Sequence, residues 1–258
     1  MTAARVGVEL TPREGGTVAR LTIDNHAKLN TLNKMLMRDM IAAVAALAAR
    51  DDLRALVVTG AGDKAFIGGA SIPEMAALEA GSARDFITMV HQTCDGLRRL
   101  PVPVIARIDG YALGAGLEVA VSCDLRVAST RAQFGMPEVK VGIPSVVEAA
   151  LIPQLIGFGR ARELLMLGET IDAATALRWG LVERVVAPEA LDAEVEKVVA
   201  ALLAAGAQAV RRQKSLMQAW ERLPSEEAIA AGVDAFTRAF ESDEPKRMLS
   251  AFAKRKRD

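Results

Sequence analysis

A single glutamate, Glu118, sits in the run GAGLEVAVSC (Gly114–Cys123), where every neighbour is small or apolar. An ionised carboxylate taken out of water without partners costs several kcal/mol or changes its pKa. Such a placement is expected to serve chemistry, with the carboxyl group facing a reaction cavity. The wider segment IDGYALGAGLEVAVS (Ile108–Ser122) reads as a strand ending near Asp109, glycines at 110, 114 and 116, and then an apolar helix. The first turn of such a helix offers backbone N–H groups without intrahelical acceptors, together with the positive end of its dipole. That geometry stabilises an anion; the rival reading is a glycine-rich turn that merely packs. A dinucleotide fingerprint beginning at Gly114 fits worse, since it needs a glycine where Val119 stands.

A second loop, DKAFIGGASIPEM (Asp63–Met75), places Gly68 and Gly69 before Ala70. Ser71-Ile72-Pro73-Glu74 has the form of a capping box and predicts a helix just after Ala70. A third segment, QFGMPEVKVGIPS (Gln133–Ser145), puts Glu138 after Pro137 in a loop. Alone, a loop glutamate such as Glu138 reads as solvated; two backbone-donor loops and two carboxylates together, one of them in an apolar run, point to a site. With only His26 and His91, and no paired Cys/His spacing, zinc is not expected and no metal site is assigned.

The elements that must position these groups alternate. VGVEL (Val6–Leu10) and VARLTID (Val18–Asp24) read as a strand pair around a turn at Glu14-Gly15-Gly16. Met37, Met40, Ile41, Val44 and Leu47 follow helical spacing within Asn33–Arg50. LRALVVTG (Leu53–Gly60) is a continuous apolar strand, and PVIARID (Pro103–Asp109) and CDLRVAS (Cys123–Ser129) repeat the theme. Beyond about Leu151 the chain is mainly helical, over Ala161–Leu167, Ala173–Trp179, Glu189–Gly206, Ala207–Trp220 and Glu226–Phe240. At 258 residues, with 51% apolar and 25% charged residues, this is an α/β globular chain with an appended helical region. The 32 basic and 32 acidic residues create no global field for nucleic acid or a membrane surface. Uncharged small-and-apolar runs such as Met40–Ala49 reach ten residues, short of the roughly 20 that span a bilayer. Two cysteines and a charged N-terminus without a signal-peptide core point to a soluble, cytoplasmic protein.

The blocks GYALGAGLEVAVSCDLRVAS, AQFGMPEVKVGIP and KAFIGGASIPEM resemble the signature blocks of the enoyl-CoA hydratase/isomerase family, the crotonase superfamily. The likeness runs from DNHAKLNTLN (Asp24–Asn33) through GETIDAATALRWGLVERVV (Gly168–Val186) and weakens in the C-terminal helices. It implies a crotonase-like spiral of repeated ββα units, taken as residues 1–195, and a helical trimerisation region over 196–258. It implies an acyl-CoA thioester substrate, coenzyme A being part of that substrate rather than a separate cofactor, and a homotrimer or dimer of trimers. By position, the family's oxyanion-hole amides fall on Ala70 and Ala115 and its two hydratase glutamates on Glu118 and Glu138. Glu138 is then the main acid/base at the α-carbon, and Glu118 helps activate water. Coenzyme A contacts carry over to Lys28, Ala65, Ile67, Gly68, Ala70, Gly114 and Phe236. Lys28 also reads as a solvated lysine and Phe236 as a core phenylalanine.

Two departures stand out. Ser71 replaces a common aspartate and is expected to cap the helix equally well. The family's glycine-rich P-G-A-G-G stretch is replaced by Pro144-Ser145-Val146-Val147-Glu148, which reshapes the wall beside the acyl group. Glu148 reads as a polar residue on the following helix in preference to a third carboxylate at the site. The activity expected is hydration of a 2-enoyl-CoA. An isomerase, decarboxylase, dehalogenase or thioester hydrolase uses the same oxyanion hole, and an RNA-binding homologue is the non-enzymatic rival. The basic tail Lys254-Arg255-Lys256-Arg257 resembles family tails that approach a neighbour's ligand.

Overall fold

The chain opens on an antiparallel pair, β1 (Arg5–Arg13) and β2 (Gly16–Asp24), closed by a turn at Glu14 and Gly15. The computed structural model describes residues 3–255, so Lys256 and Arg257 of the basic tail lie outside the described residues. Helix α1 (Lys34–Ala48) starts where the Asn33 side chain accepts the Leu36 N–H. Its buried face is Leu36, Met37, Met40, Val44 and Leu47, while Ile41, expected on that face, is half-buried beside it. Burying each such side chain is worth roughly 2 kcal/mol, so the face holds the helix on the core without help from propensity.

Three times thereafter a longer strand is followed at once by a short one and then by helical structure. β3 (Leu53–Gly60) and β4 (Ala65–Ile67) precede α2 (Ile72–Ala76) and α3 (Ala80–Arg99). β5 (Val104–Ile108) and β6 (Tyr111–Leu113) precede α4 (Ala115–Val121). β7 (Leu125–Ser129) and β8 (Gln133–Gly135) precede 3-10 turns at Pro137–Val141 and Val147–Leu151. Then come α5 (Ile152–Leu167), β9 (Thr170–Asp172), α6 (Ala173–Trp179), β10 (Arg184–Val186) and α7 (Leu191–Ala204). In each round the first strand enters one sheet, ordered β1-β2-β3-β5-β7-β10, and the second enters another, ordered β4-β6-β8-β9. That is the expected spiral of repeated units. β3 is buried along its whole length, as a strand covered on both faces must be.

Several boundaries move. α5 begins at Ile152 rather than Ala161, with a break at Gly157, whose φ is 78°. The expected boundary at 195/196 falls inside α7, and Leu191, Val195, Val198 and Val199 pack on Val18, Val57, Ile105 and Val127 of the large sheet. The C-terminal region continues with α8 (Ala207–Trp220), α9 (Ser225–Ala239) and α10 (Glu244–Arg255), the last not anticipated from sequence. Buried cations tie this region to the spiral. Lys214 on α8 donates to the carbonyls of Leu97 and Val102 and to Asp124, and Arg54 on β3 donates to the carbonyls of Leu202 and Ala205. Among the described residues no helix is long and apolar enough to cross a membrane.

Candidate active site

β4 and β6 are parallel neighbours, so the turns that leave their C-terminal ends lie side by side. Gly68, Gly69 and Ala70 follow the first strand, Gly114 and Ala115 the second, and all five line one cavity of about 700 Å³. Ala70 bridges Leu32 through its flanking groups: Leu32 N–H donates to Gly69 O (2.9 Å) and Ser71 N–H to Leu32 O (2.8 Å). In that parallel pattern the N–H of Ala70 itself is turned away from the bridge. Ala115 opens α4, whose first intrahelical bond runs from Glu118 N–H to Gly114 O at 3.0 Å. The Ala115 N–H therefore has no acceptor within the helix.

Two glycines make this closeness possible. Gly114 holds φ 51°, and a Cβ there would collide with Oε1 of Glu138. A Cβ on Gly116 would collide with the carbonyl oxygen of Ile67. The second turn is thus pressed against the backbone of β4 on one side and covered by a carboxylate on the other.

Glu118 lies one helical turn beyond Ala115, on the same face of α4, and is buried at 4% exposure. It lines the cavity with Glu138, as do Phe86, Ile87 and Val90 of α3 and Ile143 and Val146 of the following loop. Burial pushes the Glu118 carboxyl up to about 8, the Glu138 charge adds to the rise, the Ala149 N–H opposes it, and Glu148 adds further. A carboxyl near 8 holds its proton at neutral pH. Glu138 sits in the Pro137–Val141 turn, half-buried, its Oε2 accepting from Ser145 Oγ at 2.8 Å. This hydroxyl was not singled out from the sequence, where it registered only as bulk replacing glycine. Replacing Ser145 with Ala is expected to lower turnover by about tenfold, one hydrogen bond to a carboxylate being worth about 1.5 kcal/mol. Steady-state rates at saturating substrate measure it.

The raised Glu118 pKa also sets a stability trend. In the unfolded chain the group ionises near 4.5, while in the folded chain it holds its proton to about 8. Between these values the native state binds more protons, so stability is full below the lower one and falls as pH rises toward the upper one. Glu118→Gln removes this loss. The variant is expected to melt higher than the parent at pH 8.5, by up to a few kcal/mol, and to converge with it near pH 5. Thermal melts across that range test the sign.

Of the residues assigned from sequence, Gly68, Ala70, Gly114, Ala115, Glu118 and Glu138 line one cavity. Ala65 and Ile67 are buried in β4 beneath it, Lys28 is exposed on a 3-10 turn, and Phe236 is exposed on α9 with its ring against Phe240. These four are not among the residues lining it. The capping box at Ser71 does not form: Ser71 makes no side-chain cap, and Glu74 accepts instead from the Lys34 N–H at 2.9 Å. The cause is α1, whose unpaired first-turn donor competes for the same carboxylate. Glu148 does not lie on the following helix, the place expected of it. It lies in the Val147–Leu151 turn, buried at 4% exposure, its Oε1 2.7 Å from His91 Nδ1.

Two supports escaped the sequence reading. Asn30 is fully buried and donates to the carbonyls of Ala61 and Ala65, while Leu29 O accepts the Gly68 N–H, so the DNHAKLN segment braces the first turn. Asp109 accepts from Ser129 Oγ and Arg131, fixing the end of β5 before the second turn. Asn30 stands in the largely polar run DNHAKLNTLN, so nothing local marked it as buried. Nothing in the sequence pairs Asp109 with residues twenty positions away.

Comparison with known proteins gives consistent results. A family model described as enoyl-CoA hydratase/isomerase matches residues 13–258. The crotonyl-CoA hydratase of Syntrophomonas wolfei is 36% identical over 93% of this chain and 93% of its own. The short-chain-enoyl-CoA hydratase of Clostridium acetobutylicum is 33% identical over 94% of this chain and 93% of its own. The crystal structure of an enoyl-CoA hydratase from Bacillus anthracis superposes with a TM-score of 0.92 at 28% identity, covering 97% of this chain and 96% of that one.

Proposed function

This chain belongs to the enoyl-CoA hydratase/isomerase family, and from that premise we propose that it adds water across the double bond of a 2-enoyl-CoA thioester. The observation that carries the reading is the single cavity in which Ala70 and Ala115, at the two donor turns, meet Glu118 and Glu138. The thioester oxygen accepts hydrogen bonds from the N–H groups of Ala70 and Ala115. Electron density then moves from the double bond toward that oxygen, leaving the β-carbon open to attack. Water is held between the two carboxyl groups, its oxygen bonding to the β-carbon while a carboxylate takes its proton. A carboxylic acid delivers a proton to the α-carbon as the enolate collapses. The water proton removed and the proton delivered balance, so turnover needs no external acid. The two carboxyls titrate as a pair; the proton held on Glu118 in the free protein supports giving it the donor role at the start, in place of the expected assignment of the α-carbon proton to Glu138.

The apolar wall of Phe86, Ile87, Val90, Ile143 and Val146 suits a hydrocarbon acyl chain. Coenzyme A itself is bound as part of the substrate, with Gly68 and Gly114 close to the thioester; the contacts expected at Lys28, Ala65, Ile67 and Phe236 fall outside the lining of this cavity. Exposed Ile229, Val233 and Phe236 on α9, at 70%, 62% and 69%, support burial of that face in a homotrimer or a dimer of trimers. The cytoplasmic expectation carries over, supported by two unbridged, buried cysteines.

The test is a set of 2-enoyl-CoA thioesters incubated in water enriched in heavy oxygen, with products weighed by mass spectrometry. Heavy oxygen at the β-carbon supports hydration. Migration of the double bond without gain of oxygen reassigns the protein as an isomerase, and release of free coenzyme A as a hydrolase.

A further inference from the structure

Glu148 poses a problem that the hydration chemistry leaves unused. Its carboxyl is more than nine-tenths buried; Oε1 meets His91 Nδ1, and Oε2 has no hydrogen-bond partner among the described residues. It stands in a turn held in an unfavourable backbone state, since Val147 just before it has φ 41°, a value that β-branched residues seldom adopt. The next residue, Ala149, donates its N–H to Val146 O at 2.9 Å and lies close enough to the Glu118 carboxyl to favour its charge. So a strained turn places a backbone N–H and a buried carboxyl near one member of the carboxylate pair. We propose that Glu148, anchored by His91, is a positioning residue that sets the protonation state of Glu118.

The groups around Glu148 define the balance. From α3 it faces His91, Asp95 and Arg98, with Cys94 buried close by; Arg98 is itself paired with Glu221, just past the end of α8. From α4 it faces Glu118, which also feels Glu138. The charged groups of α5, Arg160, Arg162 and Glu163, are exposed to solvent. Burial pushes the Glu148 carboxyl above the ordinary glutamate range, and the bond to His91 opposes that rise, so the histidine favours the charged form against desolvation. A charge retained there disfavours a second charge on Glu118 and helps keep that group protonated. His91 is half-exposed, with its side chain at 49%, and places the control within reach of solvent.

For turnover the inference rests on the hydratase reading, but its test does not. The titration of the Glu118 carboxyl is followed by carbon-13 NMR in the free protein, its signal assigned by loss in Glu118→Gln. In Glu148→Gln, which keeps size and removes charge, the Glu118 midpoint is expected to fall by roughly half a pH unit. In Glu148→Asp, which keeps charge and shortens the side chain, the midpoint is expected to stay near the parent value. If Glu148→Gln does not fold, Glu148→Met fills the same space without charge and the same fall is expected. An unmoved midpoint in the charge-free variant, or an equal fall in Glu148→Asp, overturns the proposal. Absence of hydration in the parent with the expected NMR shifts would sink the functional reading alone.

Discussion

Glu118→Gln and Glu138→Gln are each expected to cut hydration by about 10²- to 10⁴-fold while leaving the affinity for a saturated acyl-CoA within a few-fold of the parent. Glutamine matches glutamate in size and keeps the oxygen that accepts a hydrogen bond, so the cavity wall and the two donor turns stay in place. What is lost is the exchangeable carboxyl proton. At Glu118 the substitution also removes a buried ionisable group, so the variant loses rate while gaining stability at alkaline pH. A merely disrupted fold could not produce that opposition. At Glu138 the Ser145 hydroxyl still finds an acceptor, so no orphaned donor is created. Because the two carboxyls act on one water, the double variant is expected to cost little more than either single one. Full turnover in both single variants would remove acid–base chemistry from this pair. Steady-state rates, together with calorimetric affinities for a non-reacting thioester, separate the two effects.

Ala115→Pro is expected to lower turnover by about 10²- to 10³-fold with only a small change in melting temperature. Position 115 is the first residue of α4, where proline is tolerated because its missing N–H makes no helical bond. Gly114, at φ 51° and ψ −122°, has no Cβ to clash with the following ring, so the usual restriction before proline is relaxed. The substitution therefore deletes one proposed donor to the thioester oxygen and little else. Ala115→Gly keeps that donor and is expected to retain activity within several-fold. If proline at 115 leaves the rate unchanged, the second turn does not stabilise the oxyanion. Circular dichroism melts alongside the kinetics exclude unfolding as the cause.

The site was legible in the sequence to the extent that it is built from backbone and from residues that violate local pattern. Glu118 inside an apolar helix, and glycines at the ends of two apolar strands, advertised themselves because burial of charge and loss of side chains both carry a cost. Their convergence was not derivable from spacing: positions 70 and 115 come together because β4 and β6 are parallel neighbours, a long-range pairing with no local trace. The resemblance to a known family supplied that step. Where local rules were applied alone, competition overturned them. Glu74 left the Ser71 cap for α1, and Glu148 turned inward to His91. In both cases the deciding partner lies far away in sequence. The longer strands and α6 and α8 were placed well by apolar runs and spacing. α10 was missed although Met248, Leu249 and Phe252 recur at helical spacing, because that short stripe is set among charged residues.

The central claim is that the backbone N–H groups of Ala70 and Ala115 polarise one thioester carbonyl. Infrared difference spectroscopy of a bound enoyl-CoA, carrying carbon-13 at the thioester carbonyl, measures this directly. Two hydrogen bonds in the cavity weaken the carbonyl bond, so its stretch is expected to fall on binding to the parent and to recover part of the way toward the free-ligand frequency in Ala115→Pro. A bound carbonyl that absorbs at the same frequency as in water, in parent and variant alike, would contradict the account.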